Sequence, residues 1–234
     1  MIARMLRIVN VPRMLLLALL LAAAPGLVAC VGLTRNPSVA GTYSDKLSPY
    51  NYREDGSLAS MVVGVDAARF VRSEPFVPLF VQVINKSKQS FEVTRESFLL
   101  EDRLGKQYGV APAAEVADSY ARLDVDRRLF QQNRSITLTY VSLYTYITSE
   151  FFPSSSRRTL LVDRVSLPPR SYMEDVLYFP VPESGLNDVP LRLLFQVPGL
   201  DEPIQVVFAV PLTLGILEKD EKEKQEKQGK PGGP

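Results

Sequence analysis

Histidine and tryptophan are absent from this chain of 234 residues, and cysteine occurs once, at Cys30. Without histidine, neither a Ser-His nor a Cys-His nucleophile pair can be assembled. Zinc sites built on imidazoles or paired thiolates are excluded with them, and a lone cysteine permits no intramolecular disulfide. Serine-lysine catalysis would want lysine three residues after a serine, and no serine here has one. Glycine-rich phosphate loops are missing too, because Gly105 and Gly109 flank a short strand with no helix start behind them. A formal net charge of +1 gives no electrostatic reason to expect nucleic acid. No cofactor, no metal and no catalytic residue is expected.

What is present begins with the N-terminus. Arg4, Arg7 and Arg13 stand without an acid in the first thirteen residues, and an apolar run follows from Met14 to Ala24. A basic segment, a short apolar run and small residues before a cut are the marks of an export signal. The run is short of the about 20 apolar residues that a membrane span needs, and Pro25-Gly26 would interrupt an anchor helix. Leu27-Val28-Ala29-Cys30 resembles the lipobox of bacterial lipoproteins. That resemblance implies cleavage after Ala29, diacylglycerol on Cys30 and attachment to the lipid bilayer. Two or more acyl chains would make the attachment stable. Val31, rather than Asp, at the second mature position implies the outer membrane, facing the periplasm. From the net charge of +1, removal of the three arginines of residues 1–29 leaves −2 on the mature chain.

Residues 30–57 are polar, with Pro37, Gly41, Pro49 and Gly56, and read as the lipidated cysteine and a tether. Residues 218–234 alternate acids with lysines and close on Pro-Gly-Gly-Pro, a charged tail that cannot bury a core. Between them, residues 58–217 read as one domain. Val77, Leu79, Val81 and Val83 alternate with Phe76, Phe80 and Ile84, and Leu191, Leu193, Phe195 and Val197 alternate before the turn at Pro198-Gly199. Ile204, Val206, Phe208 and Val210 complete a hairpin. Short strands with turn punctuation predict a mainly β, antiparallel sandwich.

Residues 113–160 break the pattern and read as an insertion. Val116, Tyr120 and Leu123 fall at helical spacing, continued by Ile136, Tyr140, Leu143 or Tyr144, Ile147 and Phe151. The spacing predicts helix from about Ala113 to Phe151, with a break near Asn133. The β-formers of Ile136–Val141 leave a strand open there. Tyr140, Tyr144, Tyr146, Phe151 and Phe152 form a candidate interaction surface, since aromatics with polar tips favour interfaces. Packing on the sheet beneath is the other reading. The acids Glu101-Asp102, Asp124-x-Asp126 and Glu174-Asp175 read as solvated charge and surface ion pairs rather than acid/base pairs.

The run from Phe76 to Tyr108, in which an apolar strand ends at Asn85 and Phe-Leu-Leu-x-Asp-x-x-Gly-x-x-Tyr follows, resembles immunoglobulin-like, telokin-like domains of bacterial lipoproteins. Leu167-Pro168-Pro169 through Val176–Pro182 resembles their later Pro-initiated strand. The resemblance implies an immunoglobulin-like β-sandwich with extracytoplasmic binding or scaffolding, and it brings no catalytic residues. The expected function is a non-enzymatic envelope lipoprotein that engages an envelope protein partner. A small-ligand or glycan binder, with a pocket between sheet and insertion, is the alternative.

Overall fold

Alternation of β-branched and aromatic residues, punctuated by turns, makes most of the chain strand. A computed structural model describes residues 43–71, 73–152, 161–187 and 189–211. The expected signal with Leu27, Val28, Ala29 and Cys30, residues 153–160 of the insertion and the charged tail 218–234 lie outside the described residues. Strands run β1 (Asp45–Ser48), β2 (Asn51–Asp55), β3 (Ala59–Gly64), β4 (Phe76–Asn85), β5 (Phe91–Thr94), β6 (Phe98–Glu101) and β7 (Gln107–Gly109). Helices α1 (Ala113–Ser119) and α2 (Leu123–Val141) follow. Then come β8 (Thr145–Tyr146), β9 (Arg164–Leu167), β10 (Ser171–Pro180), β11 (Leu191–Phe195) and β12 (Ile204–Phe208).

The strands form a six-stranded sheet in the order β1-β2-β3-β4-β10-β8, a four-stranded sheet β12-β11-β6-β7 and a ribbon β5-β9. Pairing is antiparallel except for β8, which lies parallel to β10. Val77, Leu79, Val81 and Val83 of β4 share one core with Met173, Leu177 and Phe179 of β10 and with Phe98, Phe195 and Phe208 of the smaller sheet. Helix α2 covers the other face of β4, where Phe80 stacks on Phe130 at 4.6 Å. β4 is thus buried along its whole length. The fold is mainly β with a helical insertion.

Two expectations are corrected here. Residues 45–55, expected as tether, supply β1 and β2. Tyr52 anchors them against Phe208, with ring centroids 6.2 Å apart. An edge pair held by one buried aromatic has no apolar alternation to betray it. The insertion, in turn, is not one helix to Phe151. It breaks at Tyr120–Arg122, not near Asn133, and ends at Val141. Tyr120 turns inward against Phe76 and Tyr178, and that burial competes successfully with helical continuity. The β-formers of 136–141 stay helical, with Thr137 and Val141 one turn apart and both buried. Thr145 and Tyr146 then leave the helix to pair with β10.

Candidate functional site

Helix α2 meets the six-stranded sheet through a stripe of Asp126, Phe130, Arg134, Thr137 and Val141, at the four- and three-residue steps of one helical face. Three of the five are polar. Arg134 pairs with Glu174 of β10, and the Gln82 amide donates to the same carboxylate at 3.3 Å. Burial pushes the Glu174 carboxyl above its usual range, against the pull of Arg134.

Asp126 is fully buried. It accepts the Tyr120 hydroxyl at 2.6 Å and a guanidinium hydrogen bond from Arg122 at 3.3 Å. Burial outweighs both donors and pushes its carboxyl up to about 6. Burial, with the Asp126 charge nearby, also raises the Tyr120 and Tyr178 phenols. Asp175 faces the shared core and accepts the Phe151 and Val176 amides at 2.8 Å each. Burial pushes it up to about 7 despite those amides.

Asp102 sits at the end of β6. Burial raises its carboxyl, but the Lys106 and Leu104 amides and the Tyr108 hydroxyl outweigh that and hold it below the usual range. Gly105, at φ 79°, supplies the left-handed turn residue between them. Glu101 pairs with Arg192 at 3.1 Å. The reading of these acids as solvated charge is therefore corrected: Asp102, Asp126, Glu174 and Asp175 are all buried and bonded into the scaffold. Among the described residues no group of three or more acids, histidines or cysteines is placed to hold a metal ion.

The aromatic group divides. Phe151 and Phe152 are completely buried, Phe152 edge-on to Tyr178 at 4.9 Å, so neither belongs to a surface. Tyr144 is half-buried against Ile84, Val141 and Tyr172. Tyr140 and Tyr146 are exposed, each with an arginine against its ring: Arg53 for Tyr140 and Arg134 for Tyr146. Ile136, Leu138 and Leu143 join them outside, and Leu143 is 90% exposed. Ile136, Tyr140 and Leu143 share one face by their spacing, a signal present in the sequence beside the tyrosines that drew attention first.

Two concavities accompany these surfaces. A cavity of about 20 Å³ lies between α2 and the sheet, lined by Asn51, Gly64, Phe80, Asp126, Phe130 and Arg134 among others. It has room for about one water, not a ligand. An open groove of about 530 Å³ lies between the β2–β3 turn and the β11–β12 hairpin turn, where Glu54, Asp201 and Glu202 meet Leu58 and Ile204.

No protein-family model matches the chain, and no curated protein matches it. Among solved structures it is similar to a candidate lipoprotein, ycdA, of Bacillus subtilis, at 14% identity and a TM-score of 0.35. The match covers 73% of this chain and 42% of that one, so the chain spans less than half of that protein's length.

Proposed function

We propose that the chain is a lipid-anchored, non-enzymatic protein of the bacterial envelope, whose immunoglobulin-like domain docks on another envelope component. The anchor is Cys30, after cleavage behind Leu27-Val28-Ala29, and Val31 favours the outer membrane facing the periplasm. Strand order supports the immunoglobulin-like part. In such sandwiches the first two strands pair with the fifth, and the third, sixth and seventh form the opposite sheet. β3, β4 and β10 correspond to the former set; β6, β11 and β12, with β7 at the edge, correspond to the latter. The helices occupy the connection between β7, at the edge of one sheet, and β8, at the edge of the other.

One observation carries the non-enzymatic reading. Asp102, Asp126, Glu174 and Asp175 are each consumed by donors that hold loops and helices in place. Carboxyls committed to such contacts serve the scaffold, which favours a non-enzymatic role. The docking surface is the outer group Ile136, Tyr140 and Leu143, which share one face by their spacing.

The test uses the full chain in its own envelope. Wild type should fractionate with membranes and show a diacylated, cleaved N-terminus by intact mass, and Cys30→Ser should lose both. An unmodified wild-type N-terminus would remove the anchor. A photoreactive residue in place of Tyr140 should crosslink to an envelope component, and absence of any product would remove the docking surface.

The alternative, a small-ligand or glycan binder, is favoured by the volume of the groove beside Glu54, Asp201 and Glu202, which falls in the usual range of about 300–1,000 Å³. Its mark would be a rise in melting temperature with soluble glycan fragments that Asp201→Asn with Glu202→Gln abolishes.

A further inference from the structure

We infer that the outer face of α2 and the turn after it lie against the bilayer itself, an inference that rests on the lipid anchor proposed above. An ordinary surface helix turns its apolar stripe inward, and α2 does so in part, with Phe130 and Val141 toward the sheet. Asp126, Arg134 and Thr137 share that inner face, while Ile136 and Tyr140, one turn apart, stand 36% and 41% exposed. Leu143, at the following turn, is almost wholly in solvent. Ile136, Tyr140 and Leu143 thus place apolar groups outside among polar neighbours, an arrangement that suits the boundary between water and lipid.

Charge narrows the partner. From Arg127 to Ser149 there is no acid, and of the arginines in that span Arg127 and Arg134 pair inward with Glu150 and Glu174. Arg128 is exposed. The remaining residues are largely Ser, Thr, Gln and Tyr, which suit a headgroup layer. Exposed apolar side chains with arginine and no carboxylate match an anionic lipid surface.

Position narrows it further. The Arg53 guanidinium lies 5.2 Å from the Tyr140 ring centroid, and Arg53 pairs in register with Asp45, the first residue of β1. The chain therefore enters the domain one strand away from that contact. Fourteen residues separate Cys30 from Asp45, a reach of at most about 50 Å. α2 and the four-stranded sheet lie on opposite faces of the larger sheet, as the contacts Phe80–Phe130 and Tyr52–Phe208 require. With α2 down, the four-stranded sheet is presented away from the bilayer.

The absence of tryptophan makes a clean test. The full chain carrying Leu143→Trp, purified from membranes and reconstituted in phosphatidylethanolamine–phosphatidylglycerol vesicles, has a single indole. A second chain carries Leu99→Trp, on β6 of the opposite sheet, as the reference. Brominated acyl chains should quench the indole at 143 several-fold more than the one at 99, and Arg128→Glu should weaken that quenching. Equal, weak quenching at both positions overturns the inference. So does a blue shift at 143 that ignores bromine and grows with protein density, which would assign the face to a protein partner or a second copy. Flotation and intact mass of the same samples read the anchor separately. Flotation without quenching overturns the orientation alone; lost flotation with a bare Cys30 overturns the anchor and the inference with it.

Discussion

The Tyr120 hydroxyl donates to the Asp126 carboxylate at 2.6 Å, across the break between α1 and α2. The bond ties the first turn of α2 to a ring packed between Phe76 and Tyr178, and Arg122 completes the junction by donating to the Phe70 carbonyl at 2.6 Å. Tyr120→Phe keeps the ring and removes the donor to a buried acid. It should cost about 1.5–3 kcal/mol, the range for a hydrogen bond to a charged group, read from urea unfolding. A loss below about 0.5 kcal/mol would mean that another donor replaces the hydroxyl.

Burial gives the domain an unusual dependence on pH. Asp175 at about 7 and Asp126 at about 6 lie above the ordinary aspartate value of about 3.9. The folded chain therefore holds protons that the unfolded chain has released. Their stabilising contribution is complete below about pH 4 and is lost as pH rises through 6 and 7. Asp102 is shifted the other way, so its effect falls at lower pH. Between pH 5 and pH 8 the urea midpoint should fall, and Asp175→Asn should flatten that slope. A midpoint that rises over this window would contradict the assignment.

The Arg134–Glu174 pair is asymmetric, with the arginine side chain 35% exposed and the glutamate 1%. Removing only the arginine strands a buried acid. Arg134→Met should therefore cost about 3–5 kcal/mol, whereas Arg134→Met with Glu174→Gln should cost clearly less. A double-mutant cycle on unfolding free energies measures the difference. Equal costs for the single and double variants would show that the charge on Glu174 is not what the arginine supports.

The aromatic group should sort by burial. Phe151→Ala empties a fully enclosed site and should cost about 3–5 kcal/mol. Tyr146→Ala, on an exposed ring, should cost well under that, with Tyr144→Ala between them. Thermal melts of the three variants check the order. A Tyr146 loss as large as that of Phe151 would remove this residue from the candidate interaction surface.

Local chemistry made a good part of this fold legible. β4, β6 and the β11–β12 hairpin follow from alternation and turn residues. The run from Phe98 to Tyr108 works as a local unit, since Asp102 binds the turn amides and Tyr108, while Gly105 takes the left-handed conformation. Asn85, the polar end of β4, bonds the carbonyls of Gln89, Leu167 and Pro168. Its residue type announced a strand end, but two of its partners lie over eighty residues away. Tyr144 is half-buried and Tyr146 exposed, and both lie outside the helix that their spacing predicted.

By itself, the sequence determined which segments alternate, where turns fall, and that histidine and paired cysteine chemistry are unavailable. Only the tertiary structure decided which acids are buried and which apolar residues are left outside. An acid is buried when distant donors meet it: Gln82 reaches Glu174 across 92 positions, and the Phe151 amide reaches Asp175 across 24. It also decided that α2 would turn Asp126, Arg134 and Thr137 inward beside Phe130 and Val141. Periodicity identifies the faces of a helix, but the partners waiting on the sheet, Glu174 and Gln82 beneath Arg134, select which face is buried.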